Sequence, residues 1–344
     1  MASNVNLNEI KCMNDFPKLP WFEKGDDGHI RIKKGTCPPV YDDHSHFGWS
    51  YFFGHVIDHG KKYGDTQYFY DFEQPAPENI LSVQGHPTDP EAKLIERDIY
   101  KILVRCPPIA KRQTAPNLLE EMERFNVQKI ALSPIEIPLR SRHARQTVAT
   151  CRMDGRLVAY AGVHPQTPSY EKRIRDQVAD GALGFKYHPE FQFCAPDHPR
   201  ALRIFAVCEE LGLPVLCHSG CTGQEPPFMQ KLAAMERYDV VFRTFPKLNF
   251  ILGHAGLKYN EEAIAYANKY EQVWLDLAGQ TTPQISLVLR KADRNRILYG
   301  SDWPFYPMAV TLARTLVALE EFPDALEKVM YGNMQRLLKL PDPK

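Results

Sequence analysis

The sequence is short of most features that place a protein at first sight. It has no excess of either charge, with Lys+Arg and Asp+Glu both at 42, so no net field draws it toward nucleic acid or an anionic lipid surface. No apolar run approaches the roughly 20 residues that a membrane-spanning helix needs. The opening Met-Ala-Ser-Asn-Val-Asn-Leu-Asn-Glu-Ile lacks the basic start and apolar core of a signal peptide. The eight cysteines (12, 37, 106, 151, 194, 208, 217 and 221) include no Cys-x-x-Cys. Several stand in apolar runs, where a reduced thiol behaves as a small hydrophobe. The expectation is a cytoplasmic protein without a disulfide framework, a nucleic-acid partner or a membrane partner. No Gly-x-Gly-x-x-Gly follows a β-like run, which weighs against a dinucleotide fold.

What is present begins at Val40-Tyr41-Asp42-Asp43-His44-Ser45-His46-Phe47-Gly48. In a strand, side chains alternate faces, so His44 and His46 point one way and Ser45 the other. Two imidazoles on one face near a strand end are a ready pair of ligands for a divalent metal.

From Pro116 onward, short apolar β-like runs alternate with amphipathic helical runs. Strands are expected at 129–136, 157–164, 183–188, 213–218, 249–254, 273–278 and 297–301. Helices are expected at 117–127, 140–152, from Ser169 (as N-cap) to Gly181, and at 199–211, 228–245, 261–270, 283–291, 308–319 and 323–338. With the strand at 40–46 this makes eight strands, almost all followed by helices, which matches a TIM (β/α)8 barrel better than an open doubly wound sheet. The expected organisation is one domain over 1–344, with residues 1–36 as an N-terminal extension and 50–115 as an insertion after the first strand. The insertion is rich in Tyr, Phe, Gly and Pro. A loop this long over a barrel mouth usually carries a lid or a subunit contact, so a homo-oligomer, in its simplest form a homodimer, is expected.

Polar residues recur where these strands end: His44 and His46, then Lys186 and His188, His218, His254 and Asp302. In a TIM barrel those ends converge on the catalytic face. Imidazoles and a carboxylate suit zinc or a similar divalent ion, and three or four ligands with an open position define a catalytic rather than structural site.

The ordered set Asp42-x-His44-x-His46, Gly184-Phe185-Lys186-Tyr187-His188-Pro189, Leu213-Pro214-Val215-Leu216-Cys217-His218, Gly253-His254-Ala255-Gly256 and Tyr299-Gly300-Ser301-Asp302-Trp303-Pro304 resembles the amidohydrolase superfamily. Within it the chain looks like the amidohydrolase-2 branch of metal-dependent hydrolases and nonoxidative decarboxylases, including the aminocarboxymuconate-semialdehyde decarboxylase-like proteins. The resemblance implies one metal ion, Zn2+ by preference, on His44, His46, His218 and Asp302, with His254 as general base. It implies Lys186 and His188 facing a small-molecule substrate, and Trp303 lining its pocket with Phe305 and Tyr306. It also leaves room for two ions bridged by a carboxylated Lys186. The implied reaction is hydrolysis of a small polar or cyclic substrate; the alternative is decarboxylation of an aromatic or unsaturated carboxylic acid. Arg140, Arg142 and Arg145 read as a solvated helix start, and His55 and His59, four apart in the insertion, as loop histidines.

Overall fold

Each of the eight apolar runs becomes a parallel strand. The structure, a computed structural model, describes residues 5–49, 57–70, 72–83, 108–137, 142–221 and 225–344. Ahead of the barrel, β1 (Phe22–Lys24) and β2 (Ile30–Ile32) form an antiparallel hairpin. Its turn relies on Gly28 at φ +81°, and Asp27-Gly28 is a hairpin signal that the reading of 1–36 as a mere extension passed over. The barrel strands follow as β3 (Val40–Ser45), β4 (Val127–Leu132), β5 (Leu157–Ala161), β6 (Gly184–Tyr187), β7 (Val215–His218), β8 (Phe250–Gly253), β9 (Val273–Asp276) and β10 (Ile297–Leu298). They pair in sequence order from β3 to β10.

Residues 299–303, just past β10, bring the two edges together. Asp43 N–H donates to Tyr299 O (2.9 Å), Asp302 N–H to His44 O (2.7 Å) and His46 N–H to Trp303 O (2.7 Å). The eight strands thereby form a nearly closed TIM barrel, and this pairing fixes Asp302 beside the His44–His46 pair.

Alternation along each strand decides what faces inward. Leu216, Ile251, Trp274 and Leu298 fill the barrel with Tyr41, Ala131, Val158 and Tyr160. Their neighbours Val215, Cys217, Phe250, Leu252 and Leu275 join the core shared with the helices. Two residues after Leu216 and Trp274 come His218 and Asp276, which therefore rise on the inward face above an apolar floor. In β3 a register shift sets Asp42–Ser45 against Ile130–Leu132. This bulge lets the adjacent Asp43 and His44 both reach inward partners, Tyr160 and Asp276 respectively.

Several helices differ from their expected spans. The first is Ala115–Arg124. Arg142, exposed, is the N-cap of His143–Cys151, and Arg145 is exposed on that helix; Arg140 lies outside the described residues. The span 228–245 is broken into Pro227–Gln230, a 3-10 turn at Met235–Arg237 and Tyr238–Thr244, with Ala234 extended between them. The span 323–338 is likewise a 3-10 turn, a π turn and a short α-helix. Ser169 makes no side-chain cap bond, because its backbone (φ −96°, ψ 30°) is outside the extended region that capping uses. Among the described residues no helix is long and apolar enough to cross a membrane, and the seven described cysteines are buried.

The described part of the insertion is built into the packing. Phe69 stacks on Phe305 (4.6 Å between centroids) and Tyr70 on Tyr306 (5.0 Å), so it lies over the loop after Asp302. Phe72, Ile80 and Leu81 join the main core. Arg314, fully buried, donates to Ile80 O (2.9 Å) and Val83 O (2.7 Å) and lies 5.6 Å from the Phe72 ring. Excising this segment would leave a buried guanidinium without its Ile80 and Val83 carbonyl partners.

His59 is structural. It is buried, its Nε2 donates to Gly48 O (2.9 Å), and burial lowers its pKa to about 4. His55 lies outside the described residues. A folded pKa below the ordinary 6.5 means that this histidine stabilises the fold above about pH 6.5 and loses that contribution as pH falls toward about 4. The full shift corresponds to on the order of 3 kcal/mol. Urea unfolding at pH 7 and pH 4.5 should show a shallower pH dependence for His59→Gln than for the parent; identical slopes would remove His59 from this account.

Candidate metal centre

The inward-facing ends of β3, β6, β7, β8 and β9, with the segment after β10, place seven polar residues together. His44 Nδ1 donates to Asp276 Oδ2 at 2.6 Å, and His46 Nδ1 to Ser133 O at 2.6 Å. His254 Nδ1 donates to Ala278 O at 3.0 Å. Each bond takes the Nδ1 proton and leaves Nε2 as a lone-pair donor, the arrangement found behind metal-ligating histidines. The Nε2 atoms of His44 and His46 lie 3.8 Å and 3.4 Å from Asp302 Oδ1.

Two donors about 2.1 Å from one ion at the tetrahedral angle stand roughly 3.4 Å apart. A charge-assisted hydrogen bond would instead be about 2.7–2.9 Å. The His46–Asp302 spacing is that of two ligands sharing an ion. His44, His46 and Asp302 have ligand atoms within 4.8 Å of one another, as do His44, His254 and Asp276. The donor set fits a divalent metal.

The resemblance groups His218 with His44, His46 and Asp302; in the structure its ligand atom also lies within 4.8 Å of those of His188 and Glu190. Its ring stacks on His188 at 4.1 Å and lies 4.7 Å from the His254 ring. His254 thus stands between the two groups, 4.7 Å from the His44 ring as well.

Lys186 Nζ donates to His44 Nε2 at 2.6 Å, so an ion on His44 would compete with the lysine for one lone pair. Burial pulls the Lys186 ammonium down to about 8, against the Asp302 and Asp276 charges that hold it up. Burial raises Asp302 to about 6 and Asp276 to about 7, and lowers His254 to about 4. His44, His46 and His218 are held well below the ordinary value by burial first and by the Lys186 charge. At neutral pH the imidazoles are neutral, as ligands and proton acceptors must be.

Two positions carry backbone strain. Asp302 has φ +57°, and His254, Ala255, Gly256 and Leu257 all have positive φ. Left-handed backbone at a residue other than glycine costs on the order of 1 kcal/mol or more and is tolerated where the surroundings enforce it. Gly300 is required by crowding: a Cβ there would meet Asp276 Oδ1 at 2.3 Å and His44 Cβ at 2.9 Å.

Trp303, expected to line the pocket, has no exposed surface; its Nε1 donates to Glu121 Oε1 (3.1 Å) inside the wall. Phe305 takes that place, 6.1 Å from the His46 ring, with Trp49 5.5 Å from Phe305 and 5.7 Å from Phe191. Phe191 in turn lies 4.4 Å from His188. Three aromatic rings therefore flank the histidines. Sequence reading missed Asp276 and Glu190. Asp276 ends its strand like the other site residues and was findable by the same rule; Glu190 stands in a turn and had no such signal.

The sequence matches the model of the family described as Amidohydrolase over residues 85–340. The protein fluG of Emericella nidulans is 33% identical over 100 residues, a match spanning 26% of this chain and 11% of fluG. Among solved structures, the uncharacterized TIM-barrel protein Bb4693 of Bordetella bronchiseptica superposes with a TM-score of 0.62 at 17% identity, covering 88% of this chain and 99% of that one. The 5-carboxyvanillate decarboxylase of Novosphingobium aromaticivorans, complexed with manganese, gives 0.53 at 17% identity, over 67% of this chain and 82% of that one. A protein named as a probable 2-pyrone-4,6-dicarboxylic acid hydrolase, from Acinetobacter baumannii, gives 0.53 at 13% identity, over 88% and 100%. At these identities the likeness is one of fold.

Proposed function

The chain belongs to the amidohydrolase family, and from that premise we propose that it is a metal-dependent hydrolase of a small, flat cyclic substrate. The observation that carries the reading is the pair of Nδ1 hydrogen bonds that turn the Nε2 atoms of His44 and His46 toward Asp302. These three residues would hold the ion, and Zn2+ suits their nitrogen and oxygen donors. A bound divalent ion supplies Lewis acidity and lowers the pKa of water from about 16 toward about 7.

The remaining work falls to the side chains. His254, neutral with Nε2 unprotonated, accepts the proton of the attacking water and returns it to the leaving oxygen or nitrogen. Lys186 donates to a substrate carboxylate or developing oxyanion. Trp49, Phe191 and Phe305 pack against a ring and keep water from its other face. Asp276 holds His44 in its donor tautomer.

A second reading is nonoxidative decarboxylation of an aromatic acid. The same aromatic wall favours it, with Lys186 poised to receive the carboxylate. The two reactions differ in proton balance: opening a lactone yields an acid and releases a proton, whereas decarboxylation consumes one and releases carbon dioxide. The Zn2+-loaded protein should acidify a weakly buffered solution of aryl or pyrone lactones without evolving gas. Carbon dioxide from hydroxybenzoates, with lactones and amides untouched, would replace the hydrolase reading with the second one.

A further inference from the structure

We propose that Glu190 selects the substrate: its carboxyl oxygen Oε1 accepts a hydrogen bond from an O–H or N–H on the substrate ring, while Lys186 holds a carboxylate or oxyanion from the other side of His254. The substrate class is then a ring with an anionic or carbonyl group at one end and a hydroxyl or amide N–H at the other. The inference rests on the small, flat cyclic substrate of the proposed function, but not on which reaction follows. Both residues come from one stretch of chain, Lys186 within β6 and Glu190 in the turn after it. That turn is rigid. Phe193 N–H donates to Glu190 O (3.1 Å) and Cys194 N–H to Pro189 O (3.0 Å). The Gln192 side chain accepts from His188 N–H and donates to Val163 O, both at 3.0 Å, and Gln192 O accepts from His164 Nε2 at 3.0 Å. Three bonds through Gln192 thus tie the turn to the end of β5 and fix where Glu190 points.

Glu190 is only 2% exposed, yet its Oε1 has no hydrogen-bond partner among the described residues. Burying a carboxyl oxygen without a donor is unfavourable, so a ligand that brings one is held there. The other oxygen, Oε2, lies 3.4 Å from His218 Nε2, which puts the carboxyl beside the residue that ends β7. The His218 ring is 4.7 Å from the His254 ring, and His254 is 4.7 Å from His44, where Lys186 Nζ donates at 2.6 Å. A donor and an acceptor therefore flank the candidate base. Phe191, next to Glu190 in sequence, lies 5.7 Å from Trp49 and supplies the apolar face for the ring between them. Burial, with the Glu225 charge, pushes the Glu190 carboxyl up to about 9. Its role does not depend on that proton. Ionised, both oxygens accept; with the proton on Oε2, Oε1 is still a carbonyl acceptor.

Matched ligands test this without turnover. The probes are 3- and 4-hydroxyphenylacetate and their methyl ethers, which have neither an ester to open nor a ring carboxylate to lose and differ within each pair by one donor. Calorimetric titration of the full-length, Zn2+-loaded protein should show at least one phenol bound about 10- to 100-fold tighter than its ether, the range expected for a hydrogen bond to a carboxyl group. Glu190→Gln keeps the Oε1 acceptor and should keep the preference. Glu190→Met removes the acceptor at similar volume and should bring the ratio to about one, with Glu190→Leu in its place if circular dichroism shows the methionine variant unfolded. A purely structural role would weaken phenol and ether alike and leave the ratio unchanged. The inference is overturned by a parent that binds neither phenol or prefers neither, by a folded methionine or leucine variant that retains the ratio, or by a glutamine variant that loses it. Acid release from lactones is measured separately: a parent with the phenol preference that opens no lactone sinks the hydrolase reading and leaves Glu190 in this role.

Discussion

Asp302→Ala should abolish turnover and release the ion of the His44–His46 group. The carboxylate is the charged member of that trio, and Lys186 donates to His44 at 2.6 Å from the other side. With Asp302 gone, a dication there would face an ammonium across one imidazole, leaving Asp276, already hydrogen-bonded to His44 Nδ1, as the nearby counter-charge. Removing one partner of a buried charge pair costs about 3–5 kcal/mol, so the affinity should fall by roughly 10³-fold. Asp302 also occupies a left-handed position (φ +57°), which asparagine adopts at lower cost than alanine. Asp302→Asn therefore separates the loss of charge from backbone relaxation. Zn2+ affinity by competition, with circular dichroism to verify folding, reads both variants. A folded Asp302→Asn that keeps parental Zn2+ affinity would show that the ion is held elsewhere.

Why were some of these residues legible in the sequence and others not? The strand-end histidines were, because a period of two puts Leu216 and His218 on one face and barrel geometry gathers such ends. The same rule reaches Asp276, two residues after Trp274, but an acid inside Val-Trp-Leu-Asp-Leu-Ala reads as an interruption until the partner at His44 is seen. Asp43 was hidden for a different reason. Strict alternation sends it away from His44, and only the bulge in β3 turns both inward. Glu190 depends on a turn whose shape comes from Gln192 reaching back to Val163, a tertiary contact with no periodic trace. Helix continuity failed where backbone chemistry outweighed amphipathic spacing, as at the Pro226-Pro227 start and the extended Ala234 within 228–245. Trp303 misled because proximity to Asp302 in sequence said nothing about direction; the adjacent Glu121 acceptor turns its indole into the wall.

His254 offers the other large effect, and one of the opposite kind. Its side chain is aimed by Nδ1–H to Ala278 O, its backbone N–H donates to Asp276 Oδ2 at 3.2 Å, and its carbonyl accepts from the Gln280 amide. These contacts fix a ring that stands between the His44 and His218 rings, 4.7 Å from both. Burial keeps it neutral at pH 7 by lowering its pKa to about 4, so the lone pair on Nε2 is available to a proton throughout the neutral range. A general base of this kind contributes about 10²- to 10⁴-fold to turnover, while the ion on His44, His46 and Asp302 does not depend on it. Because His254 has φ +58°, asparagine is the cleaner replacement, since it accepts left-handed backbone and removes the imidazole. His254→Asn should therefore lower kcat by about 10²- to 10⁴-fold with Zn2+ bound as tightly as in the parent. If the variant sheds that ion as readily as Asp302→Ala does, His254 is a ligand with His44 and Asp276, and the proton has another acceptor. If turnover is unchanged, the role of base passes to a different residue altogether.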